Sequence, residues 1–123
     1  MKLTNYAVDQ VYLLLNSVSK PKYKDTKPTA VNDAEYIVIN SLPINSGVFQ
    51  KCHVNVNCHV KDIAPGVPDR DKLDSLAQSV LTLLVKVSTT SFLIDFEGQE
   101  LIREQQLLEH YMNLRFSIKI INT

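Results

Sequence analysis

Residues 51–61 read KCHVNVNCHVK, and the two parities of that run separate cleanly. Cys52, Val54, Val56, Cys58 and Val60 form one set, while Lys51, His53, Asn55, Asn57, His59 and Lys61 form the other. Side chains on a strand alternate between faces, so the run is a half-buried β-strand with its apolar set inward. A helix would scatter the same residues around its circumference. Just after it, residues 64–69 (APGVPD) have the chemistry of a loop that ends in a helix cap. The period then changes. Leu73, Leu76, Ala77, Val80, Leu84 and Val87 recur at three and four, the stripe of a helix lying on a sheet. Asp69 or Asp71 suits the positive end of that helix, over 69–86, and Lys86 its negative end.

Outward from this centre, both flanks carry the same two periods. A first helix is expected over 4–18, with Leu3, Ala7, Val11, Leu14, Leu15 and Val18 on one face, stopped by Ser19, Lys20 and Pro21. Residues 20–32 (KPKYKDTKPTAVN) hold four lysines and two prolines and read as a basic connecting loop. Residues 35–40 form a strand in which Tyr36, Ile37, Val38 and Ile39 are apolar without alternation, implying burial on both faces. A turn at 42–47 joins it to the central strand. Toward the carboxyl end, Phe92, Ile94 and Phe96 mark a strand over 91–97, closed by the turn signal Glu97-Gly98. Met112, Leu114, Phe116, Ile118 and Ile120 mark the last strand. Residues 97–110 between them are polar and read as an excursion from the core, with 99–109 either a short helix or a hairpin arm. The expected fold is therefore α+β: about four antiparallel or mixed strands covered on one face by two helices, in the order α-β-β-α-β-β. The 123 residues suit a single domain, 1–123, carrying a basic loop at 20–32 and the excursion at 97–110.

Composition bounds the function. Thirteen basic residues balance thirteen acidic ones, so no net field holds the protein to nucleic acid or a membrane. No run of eighteen apolar residues is present, and no small-residue cleavage site follows the short run 11–15, so neither a spanning helix nor a signal peptide is expected. Cys52 and Cys58 lie six apart on one strand, roughly 20 Å, too far for a disulfide. Each also points away from the histidine beside it, so Cys52, His53, Cys58 and His59 cannot close on one zinc ion. No metal or other cofactor is expected. The acidic groups Asp69/Asp71/Asp74 and Glu97/Glu100/Glu104 are tied to no nucleophile, and Gly47, Gly66 and Gly98 are too far apart to cradle a phosphate. Arg70, Arg103 and Arg115 are too scattered for a sequence-specific nucleic-acid footprint.

With the elements placed, the chain resembles the tail-terminator and tail-completion (neck) proteins of tailed bacteriophages and related prophages. The resemblance lies in the amino-terminal amphipathic helix, the proline-bearing loop and four stretches: EYIVIN at 35–40, VNVNCHVKD at 54–62, LDSLAQSV at 73–80 and HYMNLRFSI at 110–118, where a histidine opens the closing strand. It implies a non-enzymatic structural protein of the virion, made in the host cytoplasm. Such a subunit forms a ring, commonly of six copies, that caps the tail tube, joins it to the head and leaves a lumen through which DNA can pass. The implied partners are the chain itself and neighbouring neck or tail-tube proteins. Contacts are expected from the polar segments that the core does not need: Lys20, Lys22, Lys24 and Lys27 in the basic loop, and Leu101, Ile102, Arg103, Glu104, Leu107 and Leu108 in the excursion. A small α+β protein-binding or regulatory module is the alternative reading, and an enzyme of unassigned reaction ranks behind both.

Overall fold

In a computed structural model, described over residues 4–28, 33–42 and 49–121, two helices lie on one face of a five-stranded sheet. In chain order the elements are α1 (Thr4–Leu14), β1 (Lys22–Lys24), β2 (Glu35–Ser41), β3 (Phe49–Lys61), α2 (Arg70–Leu84), β4 (Phe92–Glu104) and β5 (Glu109–Ile121). The sheet order is β1-β2-β3-β5-β4, antiparallel throughout except for the parallel β1–β2 pair.

The central strand behaves as its alternation requires. Cys52, Val54, Val56, Cys58 and Val60 join one buried cluster with Ile37 and Ile39 of β2, Leu114, Phe116, Ile118 and Ile120 of β5, and Phe92 and Ile94 of β4. The helices close that cluster: Ala7, Val8 and Val11 of α1 with Leu15 and Val18 beyond it, and Leu73, Leu76, Ala77, Val80 and Leu84 of α2. The Asp69 side chain caps α2 by accepting the Lys72 amide at 3.3 Å. Just past the helix, Lys86 takes a left-handed φ of 60°.

Four sequence expectations are corrected. The sheet has five strands, because Lys22–Lys24, read as part of a loop, pairs in parallel with Ile37–Ile39 as an edge strand. α1 stops at Leu14 rather than at 18, since the next turn tightens to Asn16→Leu13 and Val18→Leu15 backbone bonds of 3.1 and 3.0 Å. Glu97-Gly98 does not end a strand: Phe96 faces Phe116 and Gly98 faces Arg115, leaving Glu97 as the extra residue of a β-bulge. The span 97–110 is accordingly not an excursion. β4 runs on to Glu104, a single 3-10 turn (Gln105–Leu107) reverses the chain, and β5 starts at Glu109, paired on both sides with β3 and β4. The turn expected at 42–47 lies, apart from Leu42, outside the described residues, as do Leu3 and the last four positions of the basic loop. Among the described residues no helix is long and apolar enough to cross a membrane.

Candidate assembly surface

The lysines of the basic loop are held to the fold one by one. Lys20 Nζ lies 3.0 Å from Glu35, Lys22 Nζ donates to the Val18 carbonyl at 2.7 Å, and Lys24 Nζ sits 2.7 Å from Asp9. Lys27 Nζ stands 4.7 Å above the Tyr36 ring. Two of these charges are met by acids and the other two by a carbonyl and an aromatic ring, so the lysines fasten the β1 edge to α1 and β2. The hairpin residues sit at the opposite edge. Leu101 packs on the core, Ile102 is half-buried, and the Arg103 guanidinium lies against Gly66, 3.2 Å from the position of a Cβ there. Leu107 and Leu108 are exposed. The two groups therefore lie at opposite edges of the sheet, with one meeting point: Lys27, Glu104 and Leu107 all line a cleft of about 330 Å³ on the helix-free face.

The floor of that cleft was hidden in the alternation of β2, β3 and β5. Register sets Tyr36 opposite His59 and His59 opposite Tyr111, and the three rings stack, with centroids 4.4 and 4.5 Å apart. Beneath them Glu109 is fully buried, accepting from the Tyr36 hydroxyl and lying 2.9 Å from His59 Nδ1, with Lys61 Nζ 3.9 Å from its other oxygen. Burial works against ionisation of Glu109, but the bonds from His59 and Tyr36 outweigh it and hold the carboxyl below its ordinary value. Burial and the Glu109 contact push the Tyr36 hydroxyl pKa up. Beside the stack, Asn55 donates to Asn40 at 3.0 Å, while Asn113 donates to Asn55 at 3.3 Å and to Asn57 at 2.7 Å. On the same face His53 lies 2.6 Å from Glu97, while His110, opposite the core residue Val60, lies 2.6 Å from Asp62 on the helix-covered side.

This face is largely satisfied from within, although the second oxygen of Glu109 has no hydrogen-bond partner and only Lys61 at 3.9 Å. Its acid–base groups orient one another, and its amides bond across the strands, so the geometry describes a rigid wall more than a reactive centre. Cys52 and Cys58 lie on the helix-covered side, opposite to His53 and His59; burial raises their thiols to about 11 and about 12. Sequence reasoning missed Tyr36, Tyr111 and Glu109 as one group, since only the cross-strand register brings 36, 59, 109 and 111 together.

No known family profile and no curated protein matches the chain. Among solved structures it is similar to a chain in the "Virion of native gene transfer agent (GTA) particle", with a TM-score of 0.65 and 16% identity over 95% of this chain and 99% of that one. At that identity the likeness establishes a shared fold.

Proposed function

We propose that the chain is a structural protein of a tailed-phage-like virion, a tail-terminator or head–tail connector subunit that assembles into a ring of six at the neck. The observation that carries this reading is the end-to-end match with a chain of a virion particle: nearly all of both chains superpose, so the likeness is not confined to a small part of either. The internal chemistry agrees. The amides of the polar sheet face bond across the strands, and His53 and His59 there and His110 on the other face are each engaged by a carboxylate, which suits a load-bearing subunit. Its partners on this reading are further copies of itself and the neighbouring neck or tail-tube proteins, its place is the virion, and DNA passes through the lumen without sequence-specific contact. Sedimentation velocity and native mass spectrometry test it. At high protein concentration a species of six times the 13.9 kDa chain mass is expected, annular in negative-stain images. A protein that stays monomeric at all concentrations, and that adds to neither tube ends nor connector complexes, would refute it.

A further inference from the structure

The cleft on the helix-free face carries more negative charge than the chain neutralises. Register sets Glu104 of β4 directly opposite the buried Glu109 of β5, with Lys61 of β3 on the far side of Glu109. Like charges facing each other across a strand pair disfavour the pairing. Lys61, 3.9 Å from Glu109, answers one of the two. Glu104 is half-buried and has no ion pair or hydrogen bond among the described residues. Burial and then the Glu104 charge hold the Tyr111 hydroxyl above its ordinary value, so that charge is felt in the aromatic stack. Asp25 brings a second carboxylate without an ion pair to the rim. Among the described lining residues Lys27, seated over the Tyr36 ring, is the one cation.

The floor of the cleft carries an independent sign of a ligand. His59 lines it while only 8% exposed. Tyr36 and Tyr111 cover both faces of its ring, and its Nδ1 lies 2.9 Å from the Glu109 carboxylate. Its Nε2 has no partner among the described residues. A neutral histidine whose Nδ1 proton goes to a carboxylate presents a lone pair at Nε2. Asn40 and Asn57 at the wall are tied into the amide ladder. The titratable groups left open are thus all acceptors, which repel a phosphate and suit a cation with several donors. We infer that this cleft is a docking site for one arginine side chain of a partner protein, held by Glu104 and by Nε2 of His59. A guanidinium fits better than an ammonium. It is planar, its donors form a fork that spans two acceptors, and it sheds water more readily beside Val38, Leu107 and the rings. At about 330 Å³ the cleft has room for a long side chain and not for a folded segment. A protein delivers that side chain, because the cleft opens on a sheet face that neither helix covers, beside the exposed Leu107 and Leu108. The contact goes beyond the ring reading and does not rest on it, since one chain holds the whole site.

Acetyl-arginine-amide, acetyl-lysine-amide and the uncharged isostere acetyl-citrulline-amide, titrated into isotope-labelled protein at neutral pH, test the site by nuclear magnetic resonance. The arginine probe should shift the His59 ring and Asn57 side-chain signals saturably in the millimolar range, with citrulline roughly tenfold weaker or worse. Glu104→Gln keeps the volume and the strand pairing while removing the charge opposite Glu109. It should melt at or above the parent temperature and bind the arginine probe roughly tenfold more weakly. Equal binding of arginine and citrulline probes would overturn the inference by making the cleft a neutral slot. A lysine probe that binds as tightly would overturn the guanidinium assignment. Free arginine that binds more tightly than its acetylated amide would overturn the protein partner in favour of a free amino acid. A Glu104→Gln protein that melts below the parent would mean that the carboxylate is already matched within the chain. Without a saturable shift at this cleft the inference falls outright, and the ring reading is untouched by any of these results.

Discussion

Val56 and Asn55 are neighbours on β3 whose side chains go to opposite faces, and the same charge placed at each should have very different effects. Val56 is fully buried between Ile39 on one side and Leu114 on the other, both also fully buried. Val56→Asp forfeits roughly 1.5–3 kcal/mol of side-chain burial. It also puts a carboxyl among aliphatic groups with no donor in reach, which costs roughly 2–7 kcal/mol even if it takes up a proton. Together these consume most or all of the ~5–15 kcal/mol stability of a domain. Asn55 is half-buried in the amide ladder. An aspartate there keeps the oxygen that accepts from Asn113 and loses only the donor to Asn40, whose own amide can turn to donate back. That loss is about 1 kcal/mol, or about 3–6 °C in melting temperature for a chain of this length. Urea titrations followed by far-UV circular dichroism separate the outcomes: Val56→Asp is unfolded or nearly so without denaturant, and Asn55→Asp shows a shifted but cooperative transition. Equal shifts for the two variants, or a Val56→Asp protein as stable as the parent, would refute the assignment of faces.

The Glu109 carboxyl is held below its ordinary value, so its contribution to stability is present above the unfolded value of about 4.3 and drains away as pH falls through the lower folded one. The urea midpoint of the parent should fall more between pH 7 and pH 3 than that of Glu109→Gln, and parallel curves would show that the carboxylate is not stabilised as drawn. With thiols raised to about 11 and about 12 by burial, Cys52 and Cys58 should resist a thiol reagent at pH 8 in the native protein and both react in denaturant; rapid native labelling of either would place it outside the core. Leu84→Ala, at the fully buried last turn of α2, should cost about 2–5 kcal/mol by equilibrium unfolding, and a loss below 0.5 kcal/mol would mean that α2 does not seat there.

Where one side chain decides one face, the sequence was a sufficient guide. The alternation in β3 and in β5 beyond Met112, and the three-and-four stripe of α2, each match a continuous buried set. The misses in the sheet share a cause: each rests on backbone pairing that no local apolar pattern announces. Lys22–Lys24 has no apolar pattern, and it becomes a strand only because the free edge of β2 offers it backbone partners at Ile37, Val38 and Ile39. Residues 99–109 look polar because the bulge shifts the parity midway, so Phe92, Ile94 and Phe96 on the helix side are followed there by Gln99, Leu101 and Arg103. No single alternation covers both halves. The unbroken apolar run at Tyr36–Ile39 was a better signal. Ile37 and Ile39 enter the main core while Tyr36 and Val38 are buried on the helix-free face, where Tyr36 stacks on His59. As for the candidate contacts, residue type placed the lysines at the surface but could not show that Glu35 and Asp9 already hold two of them.

The bulge at Glu97 has one more implication, seen by taking that residue away. With position 97 deleted, Phe96 still meets Phe116, Gly98 still meets Arg115 and Gln99 still meets Leu114; every rung of the β4–β5 ladder survives, now evenly spaced. Glu97 is thus the residue of β4 that pairing can spare. Its presence adds local twist and bends the strand, and its carboxylate reaches across to His53 at 2.6 Å. The far half of the hairpin, with Leu107 and Leu108 at its end, is in effect a pointer mounted on a single-residue hinge pin. A chain lacking that pin would keep its core, its pairing and its composition almost unchanged, and would hold the same tip in a different direction.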